Sequence, residues 1–299
     1  MNRGIVALSG AHGFIGSHVA QALKALGYDV WPMVRKKSKA NPHEIFYDYR
    51  RQIIDKDALS RCTAVIHLAG KNIMSGLWTS GFKKGLWESR IASTRLIAGA
   101  MAELMPKGPK VLVCASAMGF YGDRKNEKLD EKSIRGLGFL AQLCEAWEEE
   151  TRVAQEAGVR VVNTRFGVVV GSDGGMLAGY EKIFSLGLGA IMGSGMQYMA
   201  LVDIEDVVRA ILFALENPKV LGPINVVCPE AITNENFSKR FAHALKKKVW
   251  IRIPAWLLSS LGEQGKLMLC SCRAVPQALL DAGFEFSKPT ITKILRDKF

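Results

Sequence analysis

No stretch of this 299-residue chain approaches the eighteen or so consecutive apolar residues that cross a bilayer. A membrane-spanning helix is therefore not expected. Cysteine pairs of the metal-binding kind are also missing. The six cysteines, Cys62, Cys114, Cys144, Cys228, Cys270 and Cys272, form no C-x-x-C, and no histidine pair accompanies Cys270 and Cys272. That spacing excludes the usual zinc sites, and no metal is assigned. Four of the six sit inside apolar segments and read as small reduced hydrophobes of a cytoplasmic protein. A strand-like run begins at residue 5, so neither a signal nor a transit peptide is expected. Negative charge is the scarcer sign: 40 Lys and Arg against 28 Asp and Glu leave +12. Such a surplus suits nucleic acid or a membrane surface. The cations are scattered, however, as Lys83-Lys84, Lys246 to Lys248, Lys288 and Lys293, with no basic stripe interleaved with aromatics. A solvated face with attraction for an anionic cofactor is the better reading; neither nucleic acid nor membrane is an expected partner. With 48% hydrophobic and 23% charged residues, the chain is an ordinary globular one, long enough for one large domain or two smaller ones.

What is present is concentrated at the N-terminus. Ser9-Gly10-Ala11-His12-Gly13-Phe14-Ile15-Gly16 follows the apolar run Ile5 to Leu8 and opens a helical stretch, Ser17 to Leu26. A second apolar run, Val30 to Val34, ends at Arg35. Strand, glycine turn, helix, strand and basic residue make a dinucleotide-binding unit. Gly10 allows the tight turn, Gly13 lets the backbone approach a pyrophosphate, and Gly16 lets helix and strand pack closely. Phe14 and Ile15, between Gly13 and Gly16, are expected to meet the cofactor beside the helix N-terminus, whose N–H groups and dipole favour negative charge. A glycine turn without a ligand is the alternative, and the strand before it and the helix after it weigh against that. Gly10, Gly13 and Gly16 are three apart, whereas the common NAD fingerprint has its first two glycines two apart. The wider spacing resembles that of the short-chain dehydrogenase/reductase superfamily.

The second strand bears on the cofactor. A site for NAD places Asp or Glu there to hold the ribose 2′-OH, while a site for NADP removes the acid and supplies Arg. Here the strand ends Met33-Val34-Arg35, and no acid lies between Val30 and Ala40. A carboxylate would repel the 2′-phosphate, whereas a guanidinium pairs with it bidentately. NADP(H) is the expected cofactor. Lys36, Lys37 and Lys39 fit a solvated basic turn well, and Arg35 less well. Pro32 removes one ladder donor from this strand, which calls for a bulge or an edge position.

Further along, strand-like and helical stretches alternate. Thr63 to Leu68 is a strand ending at Ala69-Gly70, Phe82 to Leu104 is helical, and Lys110 to Ala115 is a strand. Phe139 to Ala157 is helical and Val159 to Val170 is a strand again. The expected fold is α/β: a doubly wound parallel Rossmann sheet with a smaller C-terminal α/β lobe. Residues 1–170 would bind NADP and residues 171–299 would bind substrate. Ligand then lies at the carboxyl ends of the strands, near Gly10, Arg35, Ala69, Ser116 and Gly171. After Gly171 the pattern loosens through Gly174-Gly175 and a glycine-rich segment from Gly187 to Gly195. Helices are expected at Ile204 to Glu216, at Asn234 to Leu245 behind an N-cap at Thr233, and at Pro254 to Leu261. Phe284 to Phe299 closes the chain.

The chain resembles the YfcH-type epimerase family of atypical extended short-chain dehydrogenases/reductases. The resemblance runs through Ser9 to Gly16, Ala64 to Gly70 with Asn72, Trp78-Thr79, Glu88-Ser89-Arg90, and Ser93-Thr94-Arg95. It continues in Ser116-Ala117 to Phe120-Tyr121-Gly122, Ala146-Trp147-Glu148, and Arg165 to Val169. Later elements are Gly187-Leu188-Gly189, Gly193-Ser194-Gly195 with Gln197, Asp206, Pro276, and Ala282-Gly283-Phe284. Departures are His12, where the family has a small residue; Leu201 and Asp203, where it has Trp and His; and Ser271-Cys272 in place of Gly-Gln. They bear on the substrate side more than on the cofactor side. The resemblance implies an NADP-binding Rossmann domain and an oxidoreductase or epimerase activity. It also implies that Arg90 reaches back to the cofactor's phosphates; a salt bridge with Glu88 is the alternative. Leu68, Ala69 and Gly70 would line the adenosine side, small residues there letting the backbone come close. Gly167 and Val170 would approach the nicotinamide, under a pocket lined by Gly187 to Gln197 and by the Pro254 to Leu261 helix.

One expected feature is missing. Ordinary members of the superfamily use a Tyr and a Lys four residues later to pass a proton to or from the substrate oxygen. The helix that should carry them reads Gly138-Phe139-Leu140-Ala141-Gln142-Leu143-Cys144-Glu145-Ala146-Trp147 and has neither. Proton chemistry must come from elsewhere or be absent. Candidates are Ser116, which also borders the cofactor, and Tyr121, with Glu145, Glu148 and Gln197 behind them. Glu148 would otherwise face solvent or cap a helix interaction, and Gln197 would bind substrate through its amide or else tie down a loop. The leading function is an NADP(H)-dependent oxidoreductase or epimerase acting on an unidentified small molecule, as a monomer or homodimer. The alternative is a catalytically silent NADPH-binding or sensing protein that acts through a partner.

Overall fold

The computed structural model describes residues 3–36, 41–171, 174–175 and 177–298; Lys37, Lys39 and Phe299 lie outside them. The chain begins with β1 (Ile5–Ser9), α1 (Phe14–Ala25), β2 (Asp29–Val34), β3 (Ile45–Asp48), β4 (Ile53–Ile54) and α2 (Lys56–Ser60). Next come β5 (Ala64–His67), α3 (Ser80–Glu103), β6 (Val111–Ala117), β7 (Lys128–Leu129), α4 (Phe139–Glu149) and α5 (Arg152–Glu156). The middle continues with β8 (Arg160–Phe166), β9 (Val168–Val170), α6 (Leu177–Ser185), β10 (Ala190–Met192), β11 (Tyr198–Met199) and β12 (Leu201–Asp203). Then follow α7 (Ile204–Glu216), β13 (Gly222–Val226), β14 (Ile232–Thr233), α8 (Asn234–Ala244) and β15 (Ile251–Ile253). The chain closes with α9 (Ala255–Ser259), α10 (Glu263–Leu267), β16 (Arg273–Ala274), α11 (Gln277–Asp281) and α12 (Ile291–Arg296).

Two compact units interleave along the chain. The first comprises Met1–Ser116, Leu143–Arg165 and Val208–Ile224; the second comprises Ala117–Gln142, Phe166–Val207 and Asn225–Phe299. The first is built on an eight-stranded sheet of order β13-β8-β6-β5-β1-β2-β3-β4. From β6 to β3 its neighbours pair in parallel, and β4 is antiparallel to β3. Val6, Ala7 and Leu8 on β1, Val65 and Ile66 on β5, and Leu112 to Cys114 on β6 are fully buried. Such unbroken apolar runs suit parallel strands covered on both faces. The chain leaves β1 toward β2 and β3, then returns to the other side of β1 as β5. That reversal opens a crevice between the carboxyl ends of β1 and β5, where such sheets bind ligands. The α/β fold is therefore the doubly wound Rossmann type. Pro32 stands one residue before the β2–β3 register begins at Met33, an edge-like place that tolerates a missing donor.

Two long elements expected from apolar periodicity are interrupted. The helix expected over Phe139 to Ala157 breaks between α4 and α5 at Thr151, whose Oγ1 donates to the Glu148 carbonyl at 2.6 Å. A hydroxyl that bonds its own backbone competes with helix continuation. The strand expected over Val159 to Val170 breaks at Gly167, which separates β8 from β9. A Cβ there would lie 2.7 Å from the Ala200 carbonyl oxygen. The C-terminal stretch from Phe284 is helical only over α12.

Among its described residues the second unit holds four two-stranded ladders: β9 with β12, β10 with β15 and β16 with β7 in parallel, and β11 with β14 antiparallel. Its core gathers Val170, Phe184, Leu201, Phe237, Phe241, Ile291, Ile294 and Leu295. Phe237 and Phe241, one turn apart on α8, stack at 5.7 Å, and Phe184 meets Phe241 edge-on at 4.9 Å. Asp206 on α7 accepts the backbone N–H groups of Ser287 and Lys288 at 2.7 and 2.9 Å, fixing the segment that leads into α12.

Among the described residues no helix is long and apolar enough to cross a membrane, and no cluster of His, Cys, Asp or Glu could hold a metal ion. All six cysteines are free. Burial pushes the thiols of Cys62, Cys114, Cys228 and Cys272 up to about 12, so these four remain protonated at neutral pH.

Arg160 joins β8 to the end of α7. Its guanidinium donates to the carbonyls of Ala214 and Leu215 at 2.6 Å and of Val220 at 2.9 Å. The cation also sits at the negative end of the helix. Arg160→Ala should lower unfolding free energy by about 2–3 kcal/mol, because three carbonyls lose a charged donor. Urea denaturation with an unchanged m value measures this, and a loss below about 1 kcal/mol would overturn it.

Candidate functional site

The glycine turn is shaped by close backbone approaches. Gly10 follows β1 with φ of 73°, and a Cβ on it would lie 3.0 Å from both the Leu68 carbonyl carbon and the Ala69 nitrogen. Gly13 donates its N–H to the Gly10 carbonyl at 2.9 Å and is the N-cap of α1. Gly16 is buried, and a Cβ there would lie 2.0 Å from the Gly10 carbonyl oxygen. Only glycine is accommodated at that distance. The cap of α1 has no side-chain hydrogen bond, and its first turn, with Phe14 and Ile15, carries no acid. The positive end of the helix is thus left to the surroundings, an arrangement that suits an anion.

Beneath this turn runs a buried polar chain. Ser9 Oγ accepts the N–H groups of Leu68 and Ala69, each at 3.1 Å, and lies 2.6 Å from His67 Nδ1. His67 Nε2 lies 3.1 Å from Ser93 Oγ, which donates to the Ser89 carbonyl at 2.7 Å. Donor and acceptor counts settle the proton. Two N–H groups occupy the lone pairs of Ser9 Oγ, so its own hydrogen points at Nδ1. Nδ1 is then the acceptor, and Nε2–H donates to Ser93. A second ring proton would meet no acceptor. His67 is fully buried, and burial pushes its pKa down to about 4. The chain continues at Ser89, whose Oγ accepts the Lys71 N–H at 3.1 Å. Sequence reasoning counted His67 within a resemblance but gave it no role. The available signal was a polar residue closing an otherwise apolar strand.

A cavity of about 710 Å³ opens at the carboxyl ends of β1, β2 and β5. Gly10, Ala11, His12 and Gly13 form one wall, Val34 and Arg35 a second, and Ala69 and Gly70 a third. Six of the residues expected to bind cofactor are thereby brought together. Among the described residues, four cations, Arg35, Lys36, Arg50 and Lys71, line this space against one carboxylate, Glu88. Tyr47 is also part of the lining; burial pushes its hydroxyl up to about 12, a rise that nearby Arg35 partly offsets. His12, a departure from the resembled family, belongs to this wall and not to the substrate side.

Arg90 on α3 lies against Gly70, where an added Cβ would stand 3.5 Å from the guanidinium carbon. The guanidinium donates to the Leu86 carbonyl at 3.3 Å and sits 5.1 Å from the Trp147 ring centre. Burial pushes its pKa down. No carboxylate pairs with it among the described residues, so the salt bridge with Glu88 considered from the sequence is not formed.

The expected catalytic residues are occupied otherwise. Ser116 on β6 is buried and donates to Glu148 Oε1 at 2.6 Å. Glu148 is held by Arg165 through two hydrogen bonds of 2.8 Å. The hydroxyl hydrogen of Ser116 is thus committed to a carboxylate that a bidentate guanidinium also holds, so Ser116 is anchored inside the protein. Glu148 points inward, contrary to the solvent-facing role considered for it. In the second unit Tyr121 is completely buried, its hydroxyl 2.9 Å from the Asp130 carbonyl and 2.8 Å from Asn225 Oδ1. The hydroxyl hydrogen of Tyr121 is thus committed inside the protein and not presented as a proton donor, while its ring packs among Met118, Leu129, Val227 and Ala274. Gln197 donates to the carbonyls of Met192 and Met268 at 2.9 and 3.3 Å and so ties two loops together. Val170 packs into the core of the second unit. Gly167 makes room for Ala200 and Val227. β10, within the Gly187 to Gln197 segment, pairs with β15, which precedes the Pro254 to Leu261 helix, and Met196, Trp256 and Leu261 are exposed.

A parallel sheet with a glycine turn at its switch point and a basic crevice above it defines a nucleotide-binding Rossmann protein. Residues 6–227 match the model of the NAD dependent epimerase/dehydratase family, and residues 253–297 match a domain of unknown function, DUF1731. The chain belongs to the NAD dependent epimerase/dehydratase family. It is 40% identical over 297 residues to Epimerase family protein Mb2239 of Mycobacterium bovis, covering 99% of this chain and 97% of that one. It is similar to the crystal structure of human epimerase family protein SDR39U1 (isoform 2) with NADPH, at 30% identity and a TM-score of 0.87 over 98% of both chains. It is also similar to a nucleoside-diphosphate sugar epimerase from Corynebacterium glutamicum, at 29% identity and a TM-score of 0.83, covering 99% of this chain and 58% of that one.

The buried His67 makes stability depend on pH. Below pH 6.5 the unfolded chain takes up a proton that the folded chain refuses until about pH 4. The contribution is complete above the higher value and is lost as pH falls to the lower one, by about 3 kcal/mol in all. His67→Gln, which does not titrate, should show about 2–3 kcal/mol less loss of stability between pH near 7.5 and pH near 4.5. Identical pH dependence in both proteins, by urea denaturation, would overturn the assignment.

Proposed function

We propose that this chain is an NADP(H)-binding oxidoreductase or epimerase acting on a small molecule. The observation that carries the reading is the crevice at the switch point, with four cations against one carboxylate around an uncapped helix N-terminus. Gly10, Gly13 and Gly16 would admit the pyrophosphate, with the N–H groups near Phe14 and Ile15 facing it. Val34 and Arg35 would take the 2′-phosphorylated ribose, Arg35 by charge. Leu68, Ala69 and Gly70 would lie along the adenosine side, and Arg90 would meet the phosphates from α3. The human relative solved with NADPH supports the choice of cofactor. NADP(H) supplies or accepts hydride at its nicotinamide when bound. In this reading residues 1–170 serve the cofactor and residues 171–299 shape the substrate pocket, in a cytoplasmic monomer or homodimer.

A second reading has its own support. Among the proton donors considered, Ser116 is bonded to a compensated carboxylate, Tyr121 is buried, and Gln197 holds loops. With the Tyr/Lys pair absent as well, a catalytically silent NADPH-binding or sensing protein would present this same arrangement. Turnover separates the two.

Arg35→Asp should weaken NADPH binding by about 1.5–3 kcal/mol for each charge-assisted hydrogen bond lost. Titration calorimetry on the unmodified protein should show NADPH preferred over NADH, and equal affinities would sink the cofactor reading. On the same sample, oxidation of NADPH with simple ketones and sugars should be slow or undetectable. A positioned acid or base contributes roughly 10²–10⁴-fold, so its lack suffices to suppress general activity. Rapid turnover with several of these compounds would refute the silent alternative and would require an efficient substitute for the tyrosine.

A further inference from the structure

The turn between β3 and β4 carries two adjacent arginines with different fates. Asp48, at the end of β3, accepts the backbone N–H groups of Arg50 and Arg51 on one oxygen, at 2.9 and 3.3 Å. Its other oxygen lies 3.7 Å from Arg51 Nε. Arg51 is thus turned back on the strand that precedes it. Arg50 has no carboxylate partner among the described residues and lines the cavity of about 710 Å³. Arg35 lines the same cavity and likewise has no carboxylate partner among them. The β2–β3 register pairs Val34 with Phe46, so Arg35 follows β2 beside Tyr47, and the Arg50 turn follows β3 at the same end of the sheet. Parallel neighbours lie about 4.8 Å apart, so the two side chains approach one space from adjacent strands.

Two guanidinium groups flanking one crevice, neither with a carboxylate partner among the described residues, make that crevice favourable for an anion. Resting on the NADP(H) reading above, we infer that Arg50 is a specificity-determining residue: with Arg35 it clamps the 2′-phosphate of the adenosine ribose. Asp48 prepares the clamp by fixing the turn and engaging Arg51, which leaves Arg50 to the ligand. A phosphomonoester carrying about two negative charges can accept from both forks at once. NADH offers a hydroxyl at that position and gains little from the second arginine.

The adjacent arginine serves as a control. Calorimetric titration with NADPH and with NADH is carried out on the full chain and on Arg50→Ala and Arg51→Ala. Arg50→Ala should raise the NADPH dissociation constant roughly tenfold or more and change that for NADH by less than about twofold. Arg51→Ala should leave both nearly unchanged. The clamp is overturned if Arg50→Ala weakens both cofactors equally, if it leaves NADPH binding intact, or if Arg51→Ala reproduces its effect. An unmodified protein that prefers NADPH while Arg50→Ala is silent overturns the clamp alone. One with no preference for NADPH overturns the cofactor reading and the clamp together.

Discussion

The carbonyl oxygen of Gly10 is the point about which the cofactor end of this protein is arranged. Gly13 donates to it, and Gly16 comes so near that a methyl group would overlap it at 2.0 Å. On the other side, Gly10 itself leaves no room for a Cβ beside Leu68 and Ala69. Three backbone segments therefore meet without side chains between them: the end of β1, the start of α1 and the end of β5. The angle at which α1 leaves the sheet follows from that meeting. So does the presentation of its first N–H groups, because no capping side chain stands in front of them.

The polar groups behind the turn are all satisfied by partners inside the protein. Ser9, His67, Ser93 and Ser89 form a chain in which each hydrogen has an acceptor, and the imidazole stays neutral because a second proton would have none. Glu148 and Arg165 neutralise each other, with Ser116 attached. Arg35 and Arg50 line the cavity with no carboxylate partner among the described residues, and Arg90 lies against Gly70 at its edge. Compensated charge inside and uncompensated positive charge at the crevice is an electrostatic division of labour. It favours an anionic ligand without destabilising the core, since the solvent screens the exposed cations when no anion is present.

The second unit contributes ties and apolar surface more than reactive groups. Two departures from the resembled family are internal fastenings there. Asp203 is buried, 3.4 Å from Lys288 and 3.2 Å from Lys298. Ser271 Oγ accepts the Tyr198 N–H at 3.0 Å and donates to the Lys125 carbonyl. A charged or hydroxylated residue at these places reflects a local structural bond and carries no evidence of altered chemistry.

By itself the sequence determined the α/β class, the parallel strands, the glycine turn and the absence of an acid after β2. These are local matters: an apolar run of five or six residues, a glycine where a turn must tighten, the charge of the next side chain. It also located six residues of the cavity wall, Gly10, Gly13, Val34, Arg35, Ala69 and Gly70, because strand ends converge by topology alone. Tertiary structure decided whatever depends on a partner distant in the chain. Glu148 on α4 looked solvent-facing until Arg165, from β8, came to lie against it. Tyr121 looked available until Asn225, more than a hundred residues away, met its hydroxyl. The helix ending near Ala157 and the strand ending at Val170 looked continuous because periodicity cannot register a single hydroxyl or a carbonyl from elsewhere that breaks them. Arg50 and Arg51 were indistinguishable in sequence. Only the direction in which Asp48 holds one of them separates the arginine at the crevice from the arginine at the surface.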